Sequence, residues 1–585
     1  MGLLHISHTL WMLSFIGLCA LHCCSAAIEE HQTPIARLFV NASDTSPCPI
    51  PDTLFGIFFE EINHAGAGGL WAELVSNRGF EAGGQNIPSN IYPWSVIGDE
   101  SMLIVATDRS SCFDRNKIAL QMNVLCNNGG PNACPAEGVG IYNPGFWGMN
   151  IVEGKMYKLV LYVRSLGPID VLVSLTDSQG VQKLATANIM TSGVKWTKVE
   201  ILLKAKGSNY NSRLQLTTRR KGVVWFDQVS LTPLDTYKGH GFRNDLFQMI
   251  KDLKPGFLRF PGGCFVEGDW LMNAFRWKET VGPWEERPGH FGDVWKYWTD
   301  DGFGHYEFLQ LAEDLGTVPI WVFNNGISHN DEVNTSVILP FVQEILDGLE
   351  FARGHPKSRW GSLRAAMGHP APFNLKYVAI GNEDCEKFNY RGNYLKFYDA
   401  IRQAYPDIKM ISNCDASRAP LDHPADLYDY HIYSDAKTMF EKSNYFDKAP
   451  RNGPKAFVSE YAVTTADDAG TGTLLAAIAE AGFAIGLEKN SDLVNMASYA
   501  PLYVHVNDRR WNPDAIVFNA SHAYGTPSYW MQHFFKDSNG ATLLSTSLQT
   551  DLTDRLVASA IMWQNPVNMN TYLRIKVQQL PQNRV

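Results

Sequence analysis

No long run of lysines and arginines interrupts this 585-residue chain, and its acidic residues outnumber its basic ones by 60 to 50. That balance excludes the electrostatic footprint of a nucleic-acid-binding protein. Beyond the first thirty residues no apolar run approaches the roughly 20 residues needed to cross a bilayer, so no membrane partner is assigned. Cysteine is scarce as well: of ten, three precede residue 25, leaving the seven at Cys48, Cys112, Cys126, Cys134, Cys264, Cys385 and Cys414. Seven is too few to staple a chain of this length into a disulfide scaffold, and being odd it leaves at least one thiol unpaired. Cys112, Cys126 and Cys134 lie close enough in sequence to expect a disulfide among them. Their spacing does not match a zinc motif, so no metal or cofactor is assigned.

What is present is the composition of a large folded protein. Apolar residues make up 45% and charged residues 19%, and the length suits two to four domains. Sixteen Trp and 23 Tyr suit a sugar-binding cleft, although a large core absorbs the same residues. Thr9–Leu21 has the length of a signal-peptide hydrophobic core, and small residues at Ser25, Ala26 and Ala27 suit cleavage, giving a signal peptide over residues 1–27. Glycosylation sequons at Asn41, Asn334 and Asn519 agree with a secreted, extracellular protein.

A repeated grammar fills residues 254–503: short apolar runs alternate with amphipathic stretches such as HYEFLQLAEDLG and TLLAAIAEAGFAIGLEK. Seven such runs, ending with KAFVSEYA and VNMASYAPLY, join an eighth upstream, LFGIFFEEIN at 54–63. Eight strands buried on both faces and separated by helices predict a (β/α)₈ TIM barrel, whose chemistry sits at the C-terminal strand ends. The expected organisation is barrel at 54–84 and 236–535, interrupted at 85–235 by a β-sandwich insert of carbohydrate-binding type. Within the insert YKLVLYVRS, VKWTKVEILLKA, SRLQLTTR and VVWFDQVSL read as strands, and GFWGMN at 145–150 is a candidate sugar loop by its aromatics. Residues 28–53 add a strand to a C-terminal β-domain over 536–585, which reads as an incomplete sandwich with expected loss of stability and secretion.

Two strand ends carry glutamate after an apolar run: Glu383 closes YVAIGNE on strand four, and Glu460 closes KAFVSE on strand seven. One such Glu alone is usually solvated or paired with arginine. Two at one barrel mouth meet the requirement of glycoside hydrolysis, in which one carboxyl donates a proton and the other attacks or activates water. Their proximity and unequal burial should push their pKa values apart.

GNED with SEY, FGIFFEE at 55–61, GGLWAELV at 68–75, FLRFPGGCFVEGDW at 257–270, DYHIY at 429–433 and LVNMASYAPL at 493–502 together resemble the α-L-arabinofuranosidases of glycoside hydrolase family 51, plant type. The resemblance covers residues 36–577. It implies a retaining, exo-acting enzyme that releases terminal α-L-arabinofuranosyl residues from cell-wall polysaccharides, with Glu383 as acid/base and Glu460 as nucleophile. It places Glu60, Cys264, Asn382, His431 and Tyr433 on the sugar or its nearest neighbours, and Arg259 beneath the nucleophile. Residue by residue, Glu60 could instead be solvated, Cys264 a buried small hydrophobe, Arg259 the partner of a structural carboxylate and His431 a core histidine. Asp492 stands where bacterial members carry Gln, which leaves one hydroxyl contact unassigned. Alternative readings are a β-xylosidase of the same superfamily, or a non-catalytic cell-wall carbohydrate-binding protein.

Overall fold

The structure, a computed structural model, describes residues 36–43, 48–83, 90–550 and 555–580; the expected signal peptide over residues 1–27 lies outside the described residues. The eight apolar runs form β1 (Ile57–Phe58), β2 (Phe257–Phe260), β3 (Val318–Phe323), β4 (Tyr377–Ile380), β5 (Lys409–Ser412), β6 (Leu427–Ser434), β7 (Lys455–Val463) and β8 (Val494–Tyr499). Each pairs in parallel with the next. A parallel bridge between Phe55 and Ala497 joins β8 to the approach of β1, with Gly56 N donating to Ala497 O (3.0 Å) and Ala497 N to Leu54 O (2.6 Å). Alternate residues divide between two environments. Phe257, Ile320, Val322, Ala379, Ile411, Phe457 and Met496 pack together as one small cluster. Their neighbours Leu258, Phe260, Trp321, Phe323, Val378 and Ile380 join the larger core shared with the helices. Burial on both faces is why these runs read as continuous rather than alternating.

Helices α1 (Asn244–Asp252), α2 (His305–Leu315), α3 (Leu339–Arg353), α4 (Tyr390–Ala404), α5 (Leu474–Lys489) and α6 (Pro527–Phe535) surround the strands. Helix α2 starts where Glu307 accepts the Gly304 N–H (3.0 Å), and it stops at Gly316, whose φ of 73° favours a residue without Cβ. In α5 the Thr473 hydroxyl accepts from Ala476 N (3.1 Å). That helix is apolar all round because it is covered on several sides, packing on β7, on the short helix Ala436–Glu441 and on the strand Leu556–Gln564. Two details depart from the expected alternation. The connection from Ser412 to Leu427 contains no helix, and the eighth strand ends at Tyr499, because Tyr503–His505 pairs instead with Ile516–Phe518.

Between β1 and α1 the chain builds two antiparallel sheets. One runs in the order Lys183–Thr191, Ile169–Asp177, Asn209–Thr218, Val139–Asn143, Ser95–Ile97, with Met149–Ile151 also on Asn209–Thr218. The other runs Thr197–Lys204, Met156–Ser165, Gly222–Pro233, Ala119–Val124, Leu103–Asp108. Alternating residues such as Leu159, Leu161, Val171, Val173, Leu214, Leu216 and Phe226 meet in one core between them. The four strands legible in the sequence are here; the rest are shorter or carry too few apolar alternations. Cys126 and Cys134 form the expected disulfide. A second joins Cys385 to Cys414, behind β4 and β5, leaving Cys48, Cys112 and Cys264 as free thiols among the described residues.

At the C-terminal side Cys48–Pro49, Thr542–Leu543, Leu556–Gln564 and Thr571–Gln579 form a four-stranded sheet, and Arg37–Asn41 pairs with Ser545–Gln549. The segment upstream of β1 therefore pairs with strands of this region. The buried Lys576 ammonium contacts Glu488 of α5 and Ser538 Oγ (2.8 Å), and Ser559 Oγ donates to Glu488 (2.5 Å), tying the sheet to the barrel.

Candidate active site

Period two on β2 aims Arg259 the same way as Phe257, into the barrel, and its side chain is fully buried. There Arg259 Nη1 donates to Glu460 Oε1 (2.7 Å) and Nη2 to Asn382 Oδ1 (2.6 Å). The guanidinium lies 4.7 Å from the Phe58 ring centroid. Asn382 Nδ2 in turn donates to Glu267 Oε2 (2.7 Å), so this amide is a wedge between a cation and a carboxylate, with one N–H left over.

Glu460 occupies its place through an irregularity. Along β6 and β7 the register runs Asp429 opposite Phe457 and then His431 opposite Glu460, two residues against three. Such a bulge re-aims a side chain, and it brings Glu460 beside Tyr433, whose hydroxyl donates to Oε2 (2.5 Å). Burial and then Glu460 hold the Tyr433 phenol well above its ordinary pKa, so it stays a donor.

Glu383 stands on the turn Gly381–Asp384 with a φ of 45°. Its neighbour Gly381 has φ 83°, and a Cβ there would meet Asn325 Nδ2 at 2.5 Å, so glycine is required. A carboxylate oxygen of Glu383, one of Glu460 and a ring nitrogen of His431 all lie within 4.8 Å of one another. The burial of the two carboxylates is unequal, as expected: 45% exposed for the Glu383 side chain and 7% for Glu460.

His431 connects them. Its Nδ1 lies 2.6 Å from Glu383 Oε1 and 3.7 Å from Glu460 Oε2, while Nε2 meets Asp429 Oδ2 (3.1 Å) and Ser459 Oγ (2.8 Å). Burial alone would strip the imidazole of its proton, but Glu460, Asp429 and Glu383 outweigh it and raise the pKa well above the ordinary range. The bond to His431 is the main reason the Glu383 carboxyl is held below its usual pKa. Glu383 is therefore not raised as an isolated buried carboxyl would be, and it forms a short pair with His431. His431 thus lies among three carboxylates, which corrects the core-histidine alternative.

The opposite wall comes from β1 and β2. Glu60 is buried, which corrects the solvated alternative; its Oε1 accepts from Phe265 N (2.8 Å) and Trp295 Nε1 (2.9 Å). Burial, then repulsion from Glu460, pushes its pKa up to about 8. A Cβ at Gly263 would sit 2.9 Å from Glu460 Oε1 and 3.5 Å from Glu60 Oε2, so the Pro-Gly-Gly turn lets backbone pass between two carboxylates. Cys264 follows as a half-buried free thiol whose pKa is raised, mainly by burial and next by Glu267. Cys264, Glu267 and His329 also have ligand-type atoms within 4.8 Å of one another, the second such cluster besides Glu383, His431 and Glu460 among the described residues.

All eight residues expected at the site thus converge. Asp492 does not: it precedes β8, pairs with Arg451 (3.0 Å) and lies at the other end of the strand from the mouth. Asp429 was missed although it shares the period of His431 and Tyr433 in DYHIY. Glu267, one helical turn after Cys264, was legible in principle. Trp295, His329 and Trp511 come from loops without any period; Trp511 packs 5.4 Å from Tyr433 and 6.4 Å from Trp295. Of the sequons, Asn41 and Asn334 are exposed and Asn519 is half-buried.

Comparison with known proteins gives a consistent result. Residues 249–451 match the family described as "Alpha-L-arabinofuranosidase 1 domain", and residues 459–580 that described as "Alpha-L-arabinofuranosidase C-terminal domain". The chain is 69% identical to "Alpha-L-arabinofuranosidase 1" of Arabidopsis thaliana, over 94% of this chain and 80% of that protein. It is 67% identical to "Alpha-L-arabinofuranosidase 2" of the same plant, over 97% and 83%. Among solved structures, an arabinose-bound GH51 α-L-arabinofuranosidase superposes with a TM-score of 0.83 at 31% identity, covering 92% of this chain and 88% of that one.

Proposed function

This chain belongs to the α-L-arabinofuranosidases of glycoside hydrolase family 51, and on that premise we propose that Glu460 is its nucleophile and Glu383 its general acid/base. The enzyme is an exo-acting, retaining hydrolase of terminal α-L-arabinofuranosides. Glu460 attacks the anomeric carbon while the bond to the leaving oxygen breaks, and that oxygen takes the proton held between Glu383 and His431. The resulting arabinosyl ester is opened by water, which gives its proton to Glu383 as its oxygen bonds to the anomeric carbon and frees Glu460. Retention requires carboxyl groups ~5–5.5 Å apart.

The observation that carries this reading is the pair of carboxylate oxygens within 4.8 Å, one of them gripped by Arg259 and Tyr433. Arg259 sets a positive charge against one oxygen of the nucleophile, and Tyr433 fixes which lone pair faces the sugar. Glu60, Asn382, Cys264 and His431 line the sugar subsite. Glu60 stays largely protonated at neutral pH and so can donate to a hydroxyl as well as accept.

The natural substrates are side chains of cell-wall arabinoxylan, arabinan or arabinogalactan, and the protein is secreted and glycosylated at exposed Asn41 and Asn334, with Asn519 less accessible. The inserted two-sheet module is carbohydrate-binding in type. Proton NMR of an aryl α-L-arabinofuranoside during hydrolysis tests the chemistry: α-arabinose must appear first, and β-arabinose as first product overturns the assignment. An aryl β-xyloside measured alongside separates this reading from a xylosidase.

A further inference from the structure

A second cleft, of about 730 Å³, opens between the inserted module and the rim of the barrel. The module contributes Trp147, on the loop that GFWGMN marked, together with Tyr92 and Asn211; the barrel contributes Tyr297, Trp298 and Arg510. Trp147 is 42% exposed and its indole stands edge-on to His64, at 5.0 Å, which in turn stacks on Tyr297 at 4.1 Å. The size is that of a small-ligand site.

Two observations separate this cleft from an ordinary surface groove. His64, Asn77, Trp147 and Lys296 all line it with φ between 55° and 63°, a region that side-chain-bearing residues seldom occupy. Such strain concentrates where the surrounding structure holds a residue for a purpose. Gly145 and Gly148 hold the Trp147 loop tightly, since a Cβ at Gly145 would lie 2.6 Å from Leu74 O and one at Gly148 2.7 Å from Asn211 Oδ1. The cleft also shares its walls with the catalytic centre. Trp295 donates to Glu60 while Lys296, Tyr297 and Trp298 face the cleft, and Trp511 flanks Tyr433 while Asp508 and Arg510 face the cleft.

The lining charges are satisfied internally. Lys296 pairs with Asp269 (2.7 Å), and Asp508 pairs with both Arg510 (2.8 Å) and His64 (2.9 Å). A charged ligand would have to break these pairs, whereas a neutral one meets aromatic faces edged by amide and hydroxyl groups. That combination recognises sugars, whose C–H faces stack on rings and whose hydroxyls take the polar edge.

We propose that this cleft binds a neutral pyranose chain, the backbone that carries the scissile arabinose, so that the inserted module forms part of the substrate site. The inference rests on the arabinofuranosidase reading and goes beyond it. Its test compares Trp147→Gly, which suits the left-handed backbone, and Trp147→Phe with the unaltered full chain. The ratio of kcat/KM on branched arabinoxylan oligosaccharides to kcat/KM on p-nitrophenyl arabinofuranoside should fall about tenfold in the glycine variant and recover partly in the phenylalanine variant, as expected for losing one stacked ring. Linear xylo-oligosaccharides and linear galacto-oligosaccharides, titrated separately against tryptophan fluorescence, identify which backbone binds. Binding of either that is lost in Trp147→Gly supports the proposal. An unchanged ratio, or no response to either oligosaccharide in the unaltered protein, overturns it. Turnover of the aryl substrate reports on Glu383 and Glu460 independently, so failure of the cleft is not confused with failure of the catalytic reading.

Discussion

Glu460 and Glu383 face the same space, yet their surroundings are opposites. Around Glu460 the protein closes in: a fully buried guanidinium on one oxygen, a phenol on the other, and a strand bulge beneath. Around Glu383 there is one histidine and open solvent, on a turn held in left-handed backbone. The contrast teaches how two identical side chains are given different work. A nucleophile must be held ionised at one point, while an acid/base must exchange its proton with substrate and water.

Removing either carboxylate should expose that difference most strongly. Glu460→Ala should lose roughly 10⁴-fold or more in kcat for every substrate, since no other group can form the ester. Glu383→Ala should lose about 10²–10⁴-fold on natural glycosides, and markedly less on aryl arabinofuranosides whose phenolate leaves without a proton. Steady-state kinetics on both substrate classes checks the pair, and equal losses across leaving groups for Glu383→Ala would break the comparison.

A smaller effect should follow from loosening the enclosed side. Tyr433→Phe removes one charge-assisted hydrogen bond to Glu460, so kcat should fall about 10- to 100-fold with little change in thermal stability.

Glu60 sharpens the comparison through pH. Its folded pKa of about 8 lies above the ordinary 4.5, so the folded state binds the extra proton and stability falls as pH rises through that window. Glu60→Gln should therefore match the wild-type melting temperature near pH 4 and exceed it by a few degrees near pH 8, while activity drops at both. Melting curves across that range decide it, and a deficit for the variant at high pH would contradict the assigned burial. The least effect is expected from Cys264→Ala. Burial keeps the thiol neutral, so it packs without acting as a nucleophile, and kcat/KM should change less than about tenfold.

Much of this was readable beforehand because it depends on period and on local chemistry. Parallel strands covered by helices need apolar runs, and Glu383 and Glu460 were visible as charges placed where such runs stop. The Pro-Gly-Gly segment, His431 and Tyr433 entered instead through the motifs FLRFPGGCFVEGDW and DYHIY that carry the family resemblance. Asp429 shares the period of His431 and Tyr433 but was passed over, since an aspartate at a strand start reads as solvated. The helix-free connection after β5 was not legible, because a strand–helix grammar predicts a helix at every crossover.

By itself the chain determined which residues could do the chemistry and which elements would carry them, since burial pattern and turn preference act over a few neighbours. Tertiary structure alone decided the pairing of His431 with Glu383, the bulge that turns Glu460 toward Tyr433, and the meeting of the Trp147 loop with the barrel rim. Each of those depends on groups far apart in sequence and close in space, where desolvation and Coulomb energy change steeply within a few ångströms.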